Sequence, residues 1–218
     1  MANLTLSHPA EPRSTVPSGT TILVAASVAA WFAIVAVLGA RGGFVSPPGV
    51  PPLPILLGVV TPLAVFFVAY LLSRSIREFV LAIDPRLMMA MQAWRFAGLG
   101  FLALYAHGVL PGFFAWPAGL GDIAIGVTAP WLLVVLMRHP SFAASRTFLI
   151  WNLLGILDLV VALTTGALGT ILVAGADAGV TTGAMAQMPL VFIPAFFVPI
   201  LLALHAAALL QARRLAAT

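Results

Sequence analysis

Residues 147–169 read TFLIWNLLGILDLVVALTTGALG. At ~1.5 Å per helical residue this run crosses the ~30 Å hydrocarbon core of a bilayer. Asn152 and Asp158 interrupt its apolar character. It reads as a transmembrane helix with a carboxylate near the middle. Working outward, five further stretches have the same length and character: 21–40, 53–72, 87–110, 116–137 and 188–210. The expected fold is all-α, a polytopic integral membrane protein with six transmembrane helices in one bundle. A closed β-barrel needs ~10-residue segments of alternating polarity, and the sequence has none.

Composition agrees. The 218 residues are 62% hydrophobic and 7% charged. An ordinary soluble domain is ~45–50% apolar and ~25% charged. So few charges could not cover a soluble fold of this size. A cytosolic enzyme, a secreted module and a disordered chain are excluded. There is no cysteine, which removes disulfides, iron–sulfur clusters, thiolate zinc sites and a cysteine nucleophile. The net charge of +4 does not indicate nucleic acid, because the ten basic residues, all arginines, are scattered between apolar runs.

The domain reading is a disordered tail over 1–20, a six-helix domain over 21–212 and a short tail over 213–218. Span one is expected to be a retained helix, since its apolar run exceeds the ~7–15 residues of a signal peptide core. Asp84-Pro85 should start span three as N-cap and first helical residue. Ser141 can cap span five, and Pro117 suits the start of span four. Residues 46–54, SPPGVPPLP, should form an extended linker. Residues 174–187 read as small and flexible.

Arginines set the expected orientation. Arg13, Arg74, Arg77, Arg86, Arg138, Arg146, Arg213 and Arg214 fall on one side, and Arg41 on the other. Both termini are therefore expected in the cytoplasm of a bacterial inner (plasma) membrane. Trp94, Trp131 and Trp151 fall toward the cytoplasmic ends and Trp116 toward the outer one. Trp31 sits mid-span and fits no interfacial belt.

Ionisable residues inside a membrane face a bundle interior or a wet cavity. Counted from the span ends, Arg95, Asn152 and His205 form an inner layer, Asp158 lies at the centre, and His107 and Asp122 form an outer pair. Spans three and four share a short loop, so they should be antiparallel neighbours. Gly100, Ala103 and His107 make a stripe on span three. Gly119, Asp122, Gly126 and Ala129 make one on span four. Packed together, the stripes would bring His107 beside Asp122, as a proton-accepting pair or as a structural hydrogen bond. Arg95 either pairs with Asp158 or snorkels to the interface. Asp158 has no such exit.

Span six carries Pro189, Pro194 and Pro199, and Gln187, Pro194, Leu201 and His205 fall on one stripe. A kinked helix of this kind suits a gate or a cavity wall. Trp94-Arg95-x-x-Gly98 echoes Trp151-Asn152-x-x-Gly155 on a span of the same direction. No cofactor or metal site is expected. His107 and His205 lie too far apart in depth to share a haem, three zinc ligands do not cluster, and no serine sits beside a base.

The functional expectation is translocation of a proton, ion or small solute past an intramembrane Asp/Arg site. The pathway residues are Asp158, Arg95, Asn152, His205, Asp122 and His107. The competing expectations are a non-catalytic membrane subunit or scaffold, whose polar residues specify helix packing, and an intramembrane lipid-modifying enzyme. The expected partners are the lipid bilayer and a further copy or another membrane protein.

Overall fold

The computed structural model describes residues 18–47, 49–172 and 179–216. Every regular element among them is helical, and six helices are long and apolar enough to span a membrane: Gly19–Ala40, Leu53–Leu72, Pro85–Ala106, Gly112–Arg138, Arg146–Ile171 and Ile193–Leu215. The chain is a multi-pass membrane protein built as a six-helix bundle. Large apolar side chains such as Leu57, Val127 and Leu157 point outward and are more than half exposed. Lipid satisfies such a surface, because each helix pairs its own backbone groups internally.

Local chemistry explains most boundaries. The Asp84 carboxylate accepts from Arg86 N at 2.8 Å, with Pro85 in the first turn, as the sequence predicts. Span five is capped one turn later than expected. Ser145 Oγ accepts from Phe148 N at 3.1 Å, while Ser141 lies in a 3₁₀ turn over Pro140–Ala144. Span four begins at Gly112, not near Trp116. The Pro111 carbonyl accepts from the amides of Phe114 and Ala115, so the first turn closes there and Pro117 falls inside the helix.

Two further segments depart from the sequence reading. The linker between spans two and three holds a helix, Arg74–Ala82, that the sequence analysis did not single out. Ser73 caps it, Ile76, Phe79 and Val80 pack inward, and Arg74, Arg77 and Glu78 remain exposed. Such a helix suits the membrane surface. Gln211 of span six donates to the carbonyls of Val80 and Ile83, both at 2.9 Å, and holds its C-terminal end in place. The second departure concerns residues 182–187, expected to be flexible. Thr182–Ala186 is a 3₁₀ turn with Thr182, Met185 and Ala186 buried, and Thr182 Oγ1 donates to Gly166 O at 2.6 Å. Residues 1–17, most of the tail expected over 1–20, and residues 173–178 lie outside the described residues, whereas helix runs from Ser18 and through Ala216, where tails were expected.

Span six is the central helix. Half of its most apolar window is buried, against 11% for spans one and two. Its prolines reshape it. Ile193–Phe197 is a π-helical turn, and Pro199 has no N–H to offer the Ala195 carbonyl four residues earlier. Trp31 of span one supplies the missing donor, with Nε1 2.9 Å from Ala195 O. That contact accounts for a tryptophan in the middle of span one.

Candidate functional site

Span three is not one continuous α-helix. Pro85–Gln92 and Leu99–Ala106 flank a 3₁₀ segment, Ala93–Gly98, which carries Arg95. Residues three apart eclipse in a 3₁₀ helix, so Arg95 and Gly98 share a face. That face packs on span four almost backbone to backbone. A Cβ on Gly126 would lie 2.9 Å from Phe96 Cα, and one on Gly98 would lie 2.8 Å from Gly119 O. This close approach sets Arg95 against Asp122.

Arg95 is 2% exposed and sits at the centre of a polar cluster. Its Nε donates to Asp122 Oδ1 at 2.6 Å, and its Nη2 forms an ion pair with Asp158 Oδ2. Its Nη1 donates to Gly155 O at 3.2 Å and lies 3.2 Å from His205 Nε2. Two glycines clear the space. A Cβ at Gly121 would collide with the Asp158 carboxylate, and one at Gly155 with the His205 ring.

The histidine's proton can be placed by following donors outward. Asn152 donates through Nδ2 to Phe148 O at 2.9 Å, which turns its Oδ1 toward His205 Nδ1, also at 2.9 Å. An amide oxygen only accepts, so Nδ1 of the imidazole carries the hydrogen. Nε2 is then the acceptor for the Arg95 N–H, and the imidazole is neutral. Trp151 packs against the His205 ring at a centroid distance of 5.6 Å and donates to Thr128 Oγ1 at 2.9 Å. With both carboxylates ionised, the formal charge of the cluster is one positive against two negative.

The structure therefore brings Arg95, Asp122, Asp158, Asn152 and His205 into one contiguous group rather than three layers. Of the two expectations for Arg95, pairing with Asp158 is the one formed. Asp122 joins as a second partner. Its depth was misplaced because span four begins four residues before Trp116, which moves Asp122 ~6 Å further from the helix start. The expected His107–Asp122 pair does not form. His107 is exposed, ends its helix and donates through Nδ1 to Ala103 O at 2.8 Å, while Asp122 turns to Arg95. The stripe on span four is used, but Gly98 and Arg95 meet it, whereas Gly100 faces open space. On span six, Pro194, Leu201 and His205 are buried and Gln187 is exposed, so the expected polar stripe lacks its first member. Arg95 and Asn152, equivalent in the short internal echo, both enter the cluster.

A cleft of about 130 Å³ adjoins the cluster between spans three and six. Arg95 and Asp122 lie on its wall, which is otherwise apolar and includes Trp94, Phe101, Phe197 and Leu201. Asp158 is not part of that wall. Gln92, fully buried one turn before Arg95, donates to Leu201 O at 3.4 Å. Its Oε1 is the one buried side-chain polar atom without a hydrogen-bond partner among the described residues. Sequence reasoning missed Gln92 and Gly121, and named Gly126 only as part of a packing stripe and Gly155 only in the internal echo. A polar residue in the first half of an apolar span was the available signal for Gln92. Among the described residues, no group of three metal-ligating side chains occurs.

No curated protein and no solved structure matches the chain. A family does match, over residues 51–213, which hold spans two to six and all five members of the cluster. The chain belongs to that family, described as the domain of unknown function DUF8737.

Proposed function

We propose that the Arg95–Asp122–Asp158 cluster exchanges one proton or small cation, and that the protein translocates it across the membrane. The observation that carries this reading is charge. Two carboxylates share one guanidinium beside a neutral histidine, away from water. An uncompensated charge at that depth is costly, so the excess negative charge calls for a proton or a cation. Both carboxylate side chains keep partial exposure, 16% for Asp122 and 11% for Asp158, while Arg95 keeps almost none. The arginine is the fixed element and the acids are the exchangeable ones.

The arginine distribution supports a cytoplasmic location for both ends in a bacterial inner membrane. A second reading, a scaffold whose cluster only fastens four helices together, is favoured by the position of Asp158 outside the cleft wall.

Infrared difference spectroscopy of the reconstituted protein across a pH series separates the two. Exchange predicts a carboxylic-acid band that disappears in Asp122→Asn or Asp158→Asn, together with proton or cation flux in proteoliposomes that the same substitutions abolish. Absence of both band and flux in the unmodified chain would overturn the proposal and leave the scaffold.

A further inference from the structure

We propose that the cleft between spans three and six binds a small apolar organic cation arriving from the bilayer, with Asp122 as its counter-charge. The proposal rests on the charge assignment of the exchange reading and adds a substrate class to it.

Three observations converge. The first is access. The wall residues Trp94, Phe101, Phe197 and Leu201 all lie inside spans three and six, so the cleft is at membrane depth. Trp94 is 59% exposed on the outer surface of the bundle, and its ring lies 6.3 Å from that of Phe197. An occupant passing these rings comes from lipid and must be mostly apolar.

The second is size. An apolar cavity of ~150 Å³ holds benzene. A cleft of about 130 Å³ with an open mouth takes one ring or one branched alkyl group.

The third is the sign of the charge. Arg95 also lines the cleft, which would suggest an anion. Four of its five N–H donors are already committed, however: Nε to Asp122, one on Nη2 to Asp158, and both on Nη1, to Gly155 O and His205 Nε2. Asp122 uses only Oδ1, and its Oδ2 has no hydrogen-bond partner among the described residues. The cluster therefore presents a free acceptor and an excess negative charge. Aromatic faces at the mouth add cation–π attraction.

The test uses the purified full chain in lipid nanodiscs and three probes of similar size, followed by calorimetric titration. Benzyltrimethylammonium is permanently charged, neopentylbenzene is its neutral isostere, and phenylacetate is anionic. The expected result is saturable binding of the cation, about tenfold tighter than the isostere. Asp122→Asn should abolish that preference. Because Asp122→Asn can also disturb the fold, Trp94→Leu provides an independent check at an exposed wall position. It should weaken cation binding about fivefold without changing the thermal midpoint. Equal binding of the isostere, preference for phenylacetate, no binding, or indifference to Trp94→Leu would each overturn the site. An exchangeable carboxyl band without cation binding sinks this inference alone. Cation binding with neither that band nor flux sinks the exchange reading and leaves the site.

Discussion

Spans one and two differ from spans three to six in how they are held. Spans one and two contain no acidic residue, arginine or histidine and bury little of their surface. Each of the four inner spans contributes one ionisable side chain to a single group: Arg95, Asp122, Asp158 and His205. In lipid, apolar side chains gain little by leaving the bilayer for a helix interface, so packing and polar contacts decide which helices associate. The inner spans are fastened by charge and by glycine contacts. Among the described residues, span one has one polar tie to the bundle, the Trp31 indole; its remaining side-chain hydrogen bond, Ser27 to Leu23 O, is internal, and the rest of its hold is apolar, with Phe32 stacked on Phe192 at 5.0 Å.

The largest effect comes from the hub of the inner four. Arg95→Met removes the guanidinium and strands two carboxylates beside each other. A broken buried ion pair costs about 3–5 kcal/mol, and here two acids lose one partner. Thermal denaturation in detergent should show a large loss of stability. Adding Asp122→Leu and Asp158→Leu should recover most of it, because the penalty belongs to the stranded charges and not to lost arginine packing. A triple variant as unstable as the single one would break the comparison, since the cluster would then be holding shape rather than charge.

A smaller effect tests the outer pair. Trp31→Phe keeps an aromatic ring but removes the donor to Ala195 O, a carbonyl that Pro199 has already deprived of its helical partner. Leaving that carbonyl unpaired should cost about 1–2 kcal/mol. Restoring an N–H at the other end, by Pro199→Ala, should relieve the dependence on Trp31. A double-mutant cycle therefore measures the coupling directly. Additive effects would detach span one from the bend in span six.

The fold was legible because bilayer thickness fixes the length of an apolar helix, and 147–169 meets that length with only Asn152 and Asp158 to disturb it. The members of the site were legible for a related reason: an ionisable residue in a membrane must have a partner. Their arrangement was not. Depth was counted from assumed helix starts, and Pro117 looked like a start when Pro111 was one. Rotation was projected at 3.6 residues per turn, but Ala93–Gly98 winds at about 3.0, which turns the face of span three by roughly a third of a turn over the segment. The sequence offered Gly100, Ala103 and His107 as the stripe facing Asp122. The 3₁₀ winding delivers Arg95 and Gly98 instead. The amphipathic helix Arg74–Ala82 was missed because it sits between two much stronger apolar signals.

The two membrane histidines give the smallest effect and the sharpest control. They looked comparable in sequence, each a lone imidazole near one end of an apolar run. His205 is fully buried, accepts from Arg95 and donates to Asn152. His107 is exposed at a helix end, and its one hydrogen bond goes to a carbonyl of its own last turn. An imidazole of that kind orders little beyond itself. His107→Ala should change stability by no more than about 0.5 kcal/mol, the range of ordinary surface substitutions. Flux and the carboxyl band should likewise be unchanged. His205→Ala removes the acceptor facing Arg95 Nη1 and leaves Asn152 Oδ1 without its donor, so it should be clearly destabilising. If the two substitutions proved equivalent, the polar centre would not be confined to the cluster around Arg95. The separate layers expected from the sequence would then describe the protein better than a single contiguous group.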